Sequence, residues 1–253
     1  DHPGFGISRG IPFSSIGDNM TYIPYFSTIV AFVFAVAVFN RYRQRGGIHL
    51  LLWAIGLIFY GLGTLSESIL SLTPSIFVLR IWYLTGAMLT AAWLGMGTVH
   101  LLVRKGNLAQ ILTWILAAVS VLALILIFVV PTTSTSYDIT HPASEQYREI
   151  FTSKGFLSYL LAPTIILNLY GTITLVGGAI YSAFLFWRKR ILVNRMFGNI
   201  LIAAGALSPA MGGTFLRAGL TDMLYLSEFV GAVLMFIGFM MATSTQSEPA
   251  PAT

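Results

Sequence analysis

No cysteine occurs anywhere in the chain, which excludes disulfide frameworks, thiolate zinc sites, iron–sulfur clusters and cysteine nucleophiles together. Charge is almost as scarce. Only 9% of the 253 residues are Asp, Glu, Lys or Arg, against roughly a quarter in soluble domains, so a soluble fold of this composition has too few polar groups to cover its surface. The only lysines are Lys105, Lys154 and Lys189, all in loops or at the ends of apolar segments. A retinal Schiff base needs a lysine deep in a helix and is therefore excluded. The interiors of the apolar segments contain no aspartate pair, no His-Glu-x-x-His and no Gly-x-Ser-x-Gly. Metal-hydrolase and nucleophile-elbow chemistry thus lack their residues, and no enzyme is expected. The 14 basic residues are divided among short loops instead of forming one stripe. Nucleic acid is rejected as a partner, and membrane orientation is the simpler use for them.

What the chain does have is oil: 56% of its residues are hydrophobic. They fall into seven apolar stretches, at about 21–40, 48–71, 76–103, 108–130, 157–187, 196–218 and 223–243, each long enough for the roughly 20 residues that a bilayer crossing needs. The separators are helix breakers and charge: Arg41 to Gly47, Pro74, Arg104 to Asn107, Pro131 and Arg188 to Arg190. The expected fold is all-α, a polytopic integral membrane bundle of seven transmembrane helices forming one domain over 21–243. Residues 1–20 read as a polar extracytoplasmic arm, 131–155 as the longest loop, and 244–253 as a disordered cytoplasmic tail.

The loops between spans one and two, three and four, and five and six carry Arg41, Arg43, Arg45, Arg104, Lys105, Arg188, Lys189, Arg190 and Arg195. The opposite side carries Arg9, Arg80, Arg148, Lys154 and Arg217. The richer set belongs in the cytoplasm, which places the N-terminus outside and the C-terminus inside. Localisation follows as multi-pass in the plasma or inner membrane, with membrane lipid as a partner. Helices in lipid associate through small residues, so Ala87, Ala91 and Gly95, Gly178 and Ser182, Ala206 and Ala210, and Ser227 and Gly231 read as bundle contacts.

Ionisable side chains within a span are costly unless paired or wetted. Four share one level: Glu67, Arg80, Arg217 and Glu228 all fall within roughly 8 Å of the outer boundary at 1.5 Å per residue. Two acids and two bases there are expected to neutralise each other, either as an ion-pair network that fixes register or as a ligand-binding niche open to the outside. Deeper in the bilayer, Asn168 and Asn199 satisfy neighbouring backbone or line a secondary polar path. His49 and His100 lie at the inner boundary on neighbouring spans, the arrangement that holds a b-type haem; as interfacial side chains they bond headgroups or loop carbonyls instead. No cofactor and no metal site is expected.

A run of short motifs then adds to this reading. Trp53-Ala54-Ile55-Gly56 and Leu65-Ser66-Glu67 on span two, and Arg80-Ile81-Trp82-Tyr83-Leu84-Thr85-Gly86 with Trp93-Leu94 on span three, follow a first span and an arginine-rich turn. This order resembles the seven-helix membrane sensor region at the N-terminus of some bacterial histidine kinases and cyclic-dinucleotide enzymes, over about 60 residues. The resemblance implies a receiving half. Because the chain stops about ten residues after span seven, where such receptors continue into an output domain, it also implies a partner protein that transmits the signal.

Three functions are consistent with these features. The first is sensor-like binding of a small polar ligand or lipid at the outer cluster. The second is an accessory or structural role as a subunit of a larger membrane complex, with the 131–155 loop and the small-residue faces as docking surfaces. The third is small-solute transport, favoured by Pro163, Pro209 and the buried asparagines but weakened by an odd span count that gives no clean inverted repeat.

Overall fold

The first long helix ends where the sequence supplies a backbone state that a helix cannot use. The computed structural model describes residues 22–103, 105–133, 136–151, 157–189 and 192–244. The expected arm at 1–20 and the tail past Ser244 lie outside the described residues. Helix α1 spans Ile23–Arg45 and α2 spans Ile48–Leu70, and the turn between them is Gly46-Gly47, with φ of 68° and 100°. Only glycine adopts such angles without strain. Helix α3 is the rod Ile76–Leu102. It opens on Ser75, whose hydroxyl accepts the Val78 N–H, an N-cap that satisfies one orphan donor. Helix α4 is Leu108–Val129. A short α5 covers Ala143–Ile150, α6 covers Ala162–Lys189, α7 covers Val193–Arg217 and α8 covers Thr221–Thr243. No strand occurs among the described residues.

Six of these helices, α1, α2, α3, α4, α6 and α8, are long and apolar enough to cross a membrane. The protein is a multi-pass, all-helical integral membrane protein. Helix α7, expected as the sixth of seven spans, is not among the six counted over the described residues.

Helices α1, α2, α3, α6, α7 and α8 close a ring in that order, with α8 returning to α1, whereas α4 stands outside against α3. The arrangement follows composition. Helix α4 is the most apolar and the least buried of the six, so it meets lipid on most of its surface. The ring helices carry the small residues that let backbones approach. A Cβ built on Gly63 would lie 2.6 Å from the Cα of Gly86, and one on Gly171 would lie 2.2 Å from the backbone carbon of Ala91. Between α7 and α8, Gly205 and Gly231 meet in the same way, each 2.7 Å from the other's carbonyl oxygen by that measure.

The stretch expected to be an irregular loop at 131–155 is instead partly folded onto the bundle. In α5 the apolar positions Ala143, Tyr147 and Ile150 recur at helical spacing. Ala143, Ile150 and Phe151 are buried with Tyr137 in one core cluster that also holds Trp82, Tyr83 and Leu70. The Thr133 N–H donates to the Ile150 carbonyl at 2.8 Å and ties the two ends of this cap together.

Candidate functional site at the Glu67 end of the bundle

The cap sits over the last two turns of α2, where polar residues crowd together. Thr64, Ser66 and Ser68 are buried here. Their hydroxyls donate to carbonyls three or four residues back, Thr64 to Tyr60 and Gly61, Ser66 to Leu62 and Ser68 to Thr64. Such bonds use the hydroxyl proton locally and leave no free donor there to recruit a ligand. From α1, Thr28 adds a bond of 3.0 Å to Thr64, and Tyr25 donates to the Ser68 carbonyl.

Glu67 differs because a carboxylate only accepts, and the backbone N–H groups around it in the last turns of its helix are already used. It is 7% exposed. One donor reaches it: the indole Nε1–H of Trp82 bonds Oε1 at 2.8 Å. Its Oε2 is buried with no donor among the described residues, and it faces the carboxyl of Glu228 on α8. Two acceptors pointing at each other repel unless a proton or another positive species lies between them. Around this pair, Tyr60 donates to the backbone carbonyl of Glu228 at 2.8 Å. Tyr60 and Tyr225 lie within electrostatic reach of both carboxyls, as Tyr137 of the cap does of Glu67. Tyr137 stands outside the spanning helices, and burial first, then the nearby Glu67, push its phenol well above its ordinary pKa.

The backbone beside this niche is irregular in a way that re-aims side chains. Within α3, Tyr83–Leu89 is π-helical, and a second π-helical stretch, Leu157–Leu161, precedes α6. The hydroxyl of Tyr83, in the first, meets that of Thr164 in the first turn of α6 at 3.0 Å. Such insertions concentrate at functional sites. The first begins directly after Trp82, the donor to Glu67.

Of the four ionisable residues expected to meet, the structure brings Glu67 and Glu228 together. Arg80 goes elsewhere. Its guanidinium donates to the carbonyls of Ile127 and Val130, both at 2.8 Å, and to that of Phe128, and it lies over the Phe128 ring. These are the orphan carbonyls at the C-terminus of α4, and they give a cation what it needs without a carboxylate. The side chain of Arg217 lies outside the described residues. Among the described residues the ion pair is His141 with Asp138 in the cap, so neither glutamate has a described cationic partner.

The remaining expected residues are placed separately. Asn168 on α6 donates to the Ala87 carbonyl of α3 at 2.7 Å and to the Thr164 carbonyl one turn back, which makes it a staple between two helices. Asn199 donates to Arg195 in its own helix and lines a cavity distant from Asn168. The His100 Nε2 pairs with the Thr113 hydroxyl at 2.7 Å, while His49 packs edge-on against Trp53. Each imidazole is thus engaged with a different neighbour. No group of three His, Asp or Glu side chains suited to a metal ion occurs among the described residues.

Sequence reasoning missed Trp82, Tyr60, Tyr225 and Tyr137 as members of this site. Trp82 and Tyr83 read as interfacial anchors by depth, but nothing local shows that a Trp and a Glu fifteen positions apart on separate helices will bond. Tyr137 carried no signal beyond its place before an amphipathic octet. No protein-family model matches the chain, and neither a curated protein nor a solved structure shows significant similarity to it.

Proposed function

We propose that this is a non-enzymatic, sensor-like membrane protein of seven spans, its N-terminus outside and its C-terminus cytoplasmic. The Glu67/Glu228 niche beneath the outer cap binds a small polar ligand of positive charge. The observation that carries this reading is the buried Oε2 of Glu67, which lacks a donor and faces a second carboxyl with no described cation beside either. A site that keeps two facing acceptors inside a bundle favours whatever positive species separates them. The seven-span reading is supported by α7. It is 25 residues long, about 37 Å at 1.5 Å per residue, and fills the ring between α6 and α8. The likeness of the first three spans to bacterial sensor regions supports the same use, with small helix shifts passing the signal to a partner protein.

Trp82 provides the test, since its indole reports on the carboxyl it bonds. Purified protein in lipid nanodiscs is titrated with acid, with sodium chloride and with tetramethylammonium chloride while tryptophan emission and thermal unfolding are followed. At least one of the three should give a saturable emission change. Glu67→Gln and Glu228→Gln should remove that change while shifting the unfolding midpoint by only a few degrees. A wild-type signal flat in all three titrations, or variants that lose fold and signal in step, returns the pair to a purely architectural role.

A further inference from the structure

At the other end of the ring the structure holds a second, independent feature: a partly open cavity of about 50 Å³, room for a few water-sized groups. Six helices line it, with Phe34, Trp53 and Phe239 supplying aromatic walls. No charged side chain lines it. Trp53 stands fourteen positions before Glu67 on α2, so the cavity and the acidic niche are about 20 Å apart along that helix.

Two polar groups on its wall are unengaged, one on each of two adjacent helices. Ser182 of α6 makes no hydrogen bond among the described residues, unlike Thr174 and Thr164 of the same helix, whose hydroxyls donate to carbonyls one turn back. Asn199 of α7 uses its amide N–H on the Arg195 carbonyl, which leaves its Oδ1 without a donor. The other polar groups are satisfied: the Trp53 indole donates to the Leu94 carbonyl at 3.0 Å and approaches the Thr98 hydroxyl at 3.3 Å. Ser182 thus offers a donor and Asn199 an acceptor, the complement of a hydroxyl group. Both lie about 10 Å from the adjacent ends of their helices at 1.5 Å per residue. Phe34 and Leu57 extend the apolar lining toward the middle of the bundle.

We infer that this cavity binds an uncharged, membrane-partitioning alcohol, its hydroxyl held between Ser182 and Asn199 and its apolar body against Phe34, Trp53 and Phe239. A charged headgroup has no counter-ion there. A plain alkane leaves both polar groups unsatisfied, which favours the alcohol.

The probe is 10-bromodecan-1-ol, with 1-bromodecane as its partner lacking the hydroxyl, added to the full chain in nanodiscs. Bromine quenches nearby indoles, and the difference between native protein and Trp53→Phe isolates the Trp53 signal from the lipid-facing tryptophans. Saturable quenching of Trp53 by the alcohol is expected, with about tenfold weaker binding of 1-bromodecane. Combined Ser182→Ala and Asn199→Leu should weaken the alcohol to the level of the bromoalkane without affecting the latter. Both positions are half-buried, so the fold should survive, and an unchanged thermal unfolding midpoint in the same nanodiscs checks it. Quenching that does not saturate, equal affinity for the two probes, or unchanged affinity in the double variant overturns the inference. None of these outcomes bears on the acidic niche, so the two sites fail separately.

Discussion

The two ends of the ring handle buried polarity differently. At the Glu67 end polar side chains crowd under a cap and nearly all are satisfied within their own helix or its neighbour. At the Arg41 end they are sparse and surround empty space. The contrast comes from an asymmetry between donors and acceptors in a helical bundle. Backbone N–H groups are consumed by the helices, but each carbonyl keeps a second lone pair, and the last carbonyls of each helix are orphans. Donors therefore find partners readily: Arg80 caps α4, Arg41 caps α8 through the Thr243 carbonyl, Asn168 bonds Ala87, and Trp53 bonds Leu94. Acceptors do not. Glu67 Oε2 and Asn199 Oδ1, which have no donor among the described residues, mark the two proposed sites, one for a positive species and one for a neutral donor.

The sharpest test of that asymmetry sets one tryptophan against the other. Trp82→Phe removes the single donor to a buried carboxyl, and the expected loss is about 3 kcal/mol of stability together with the niche's optical signal. Trp53→Phe removes a donor from a carbonyl that already serves its helix, and about 1 kcal/mol should suffice. Thermal or denaturant unfolding of both variants in the same nanodiscs measures the difference. Equal losses would mean that acceptors here are no scarcer than donors.

Arg80 gives the next largest effect. Replacing it with Gln should loosen the packing of α4 on α3 and lower stability by about 2 kcal/mol, the value of a charge-assisted set of bonds partly open to the surface. Lysine should recover only part of this, since a single ammonium does not reproduce a planar fork spread over three carbonyls. Binding at the niche should remain within a factor of about two, because Arg80 is turned away from it. A large loss of cation response in Arg80→Gln would show that the guanidinium acts on the carboxyls after all.

These expectations also show where the sequence was readable. Breakers and glycines are local, so the helix limits at Gly46-Gly47, Gly106 and Pro131 follow from the chain itself. Glu67 and Glu228 were paired by depth alone, which suffices when two helices are neighbours and two acidic groups lie at one level. Depth also grouped Arg80 with them, and there it failed. The direction of a long cationic side chain depends on which orphan carbonyls are in reach, and the C-terminus of α4 comes within reach only after folding. The cap was hidden by its composition, because a polar Ser- and Thr-rich stretch masks one short amphipathic turn. The position of α4 was legible in principle, since the most apolar span loses least by facing lipid over most of its surface. The π-helical stretch in α3 has no sequence signature at all, and the cavity is a property of six helices together.

The smallest predicted effect concerns the cap and protects the largest from misreading. Asp138 accepts from the Thr140 N–H and hydroxyl at 2.9 and 2.7 Å and pairs with His141, and Gln146 bonds back to the carbonyls of Asp138 and His141. The Thr140 backbone bond, foremost among these contacts, holds the Asp138 carboxyl below its ordinary value of 3.8. A carboxyl whose folded pKa is depressed contributes stability that is fully present above the unfolded value and is lost as pH falls through the folded one. The contribution of the Asp138 carboxyl's own titration should therefore be constant above about pH 5 and be lost only in stronger acid. Hydrogen exchange at Thr140 should be faster in Asp138→Ala than in wild type at pH 7, by a few-fold at most, because the turn is exposed. An optical transition of Trp82 at mild pH must then survive Asp138→Ala unchanged. If it disappears with Asp138, the response belongs to the cap and not to the paired glutamates beneath it.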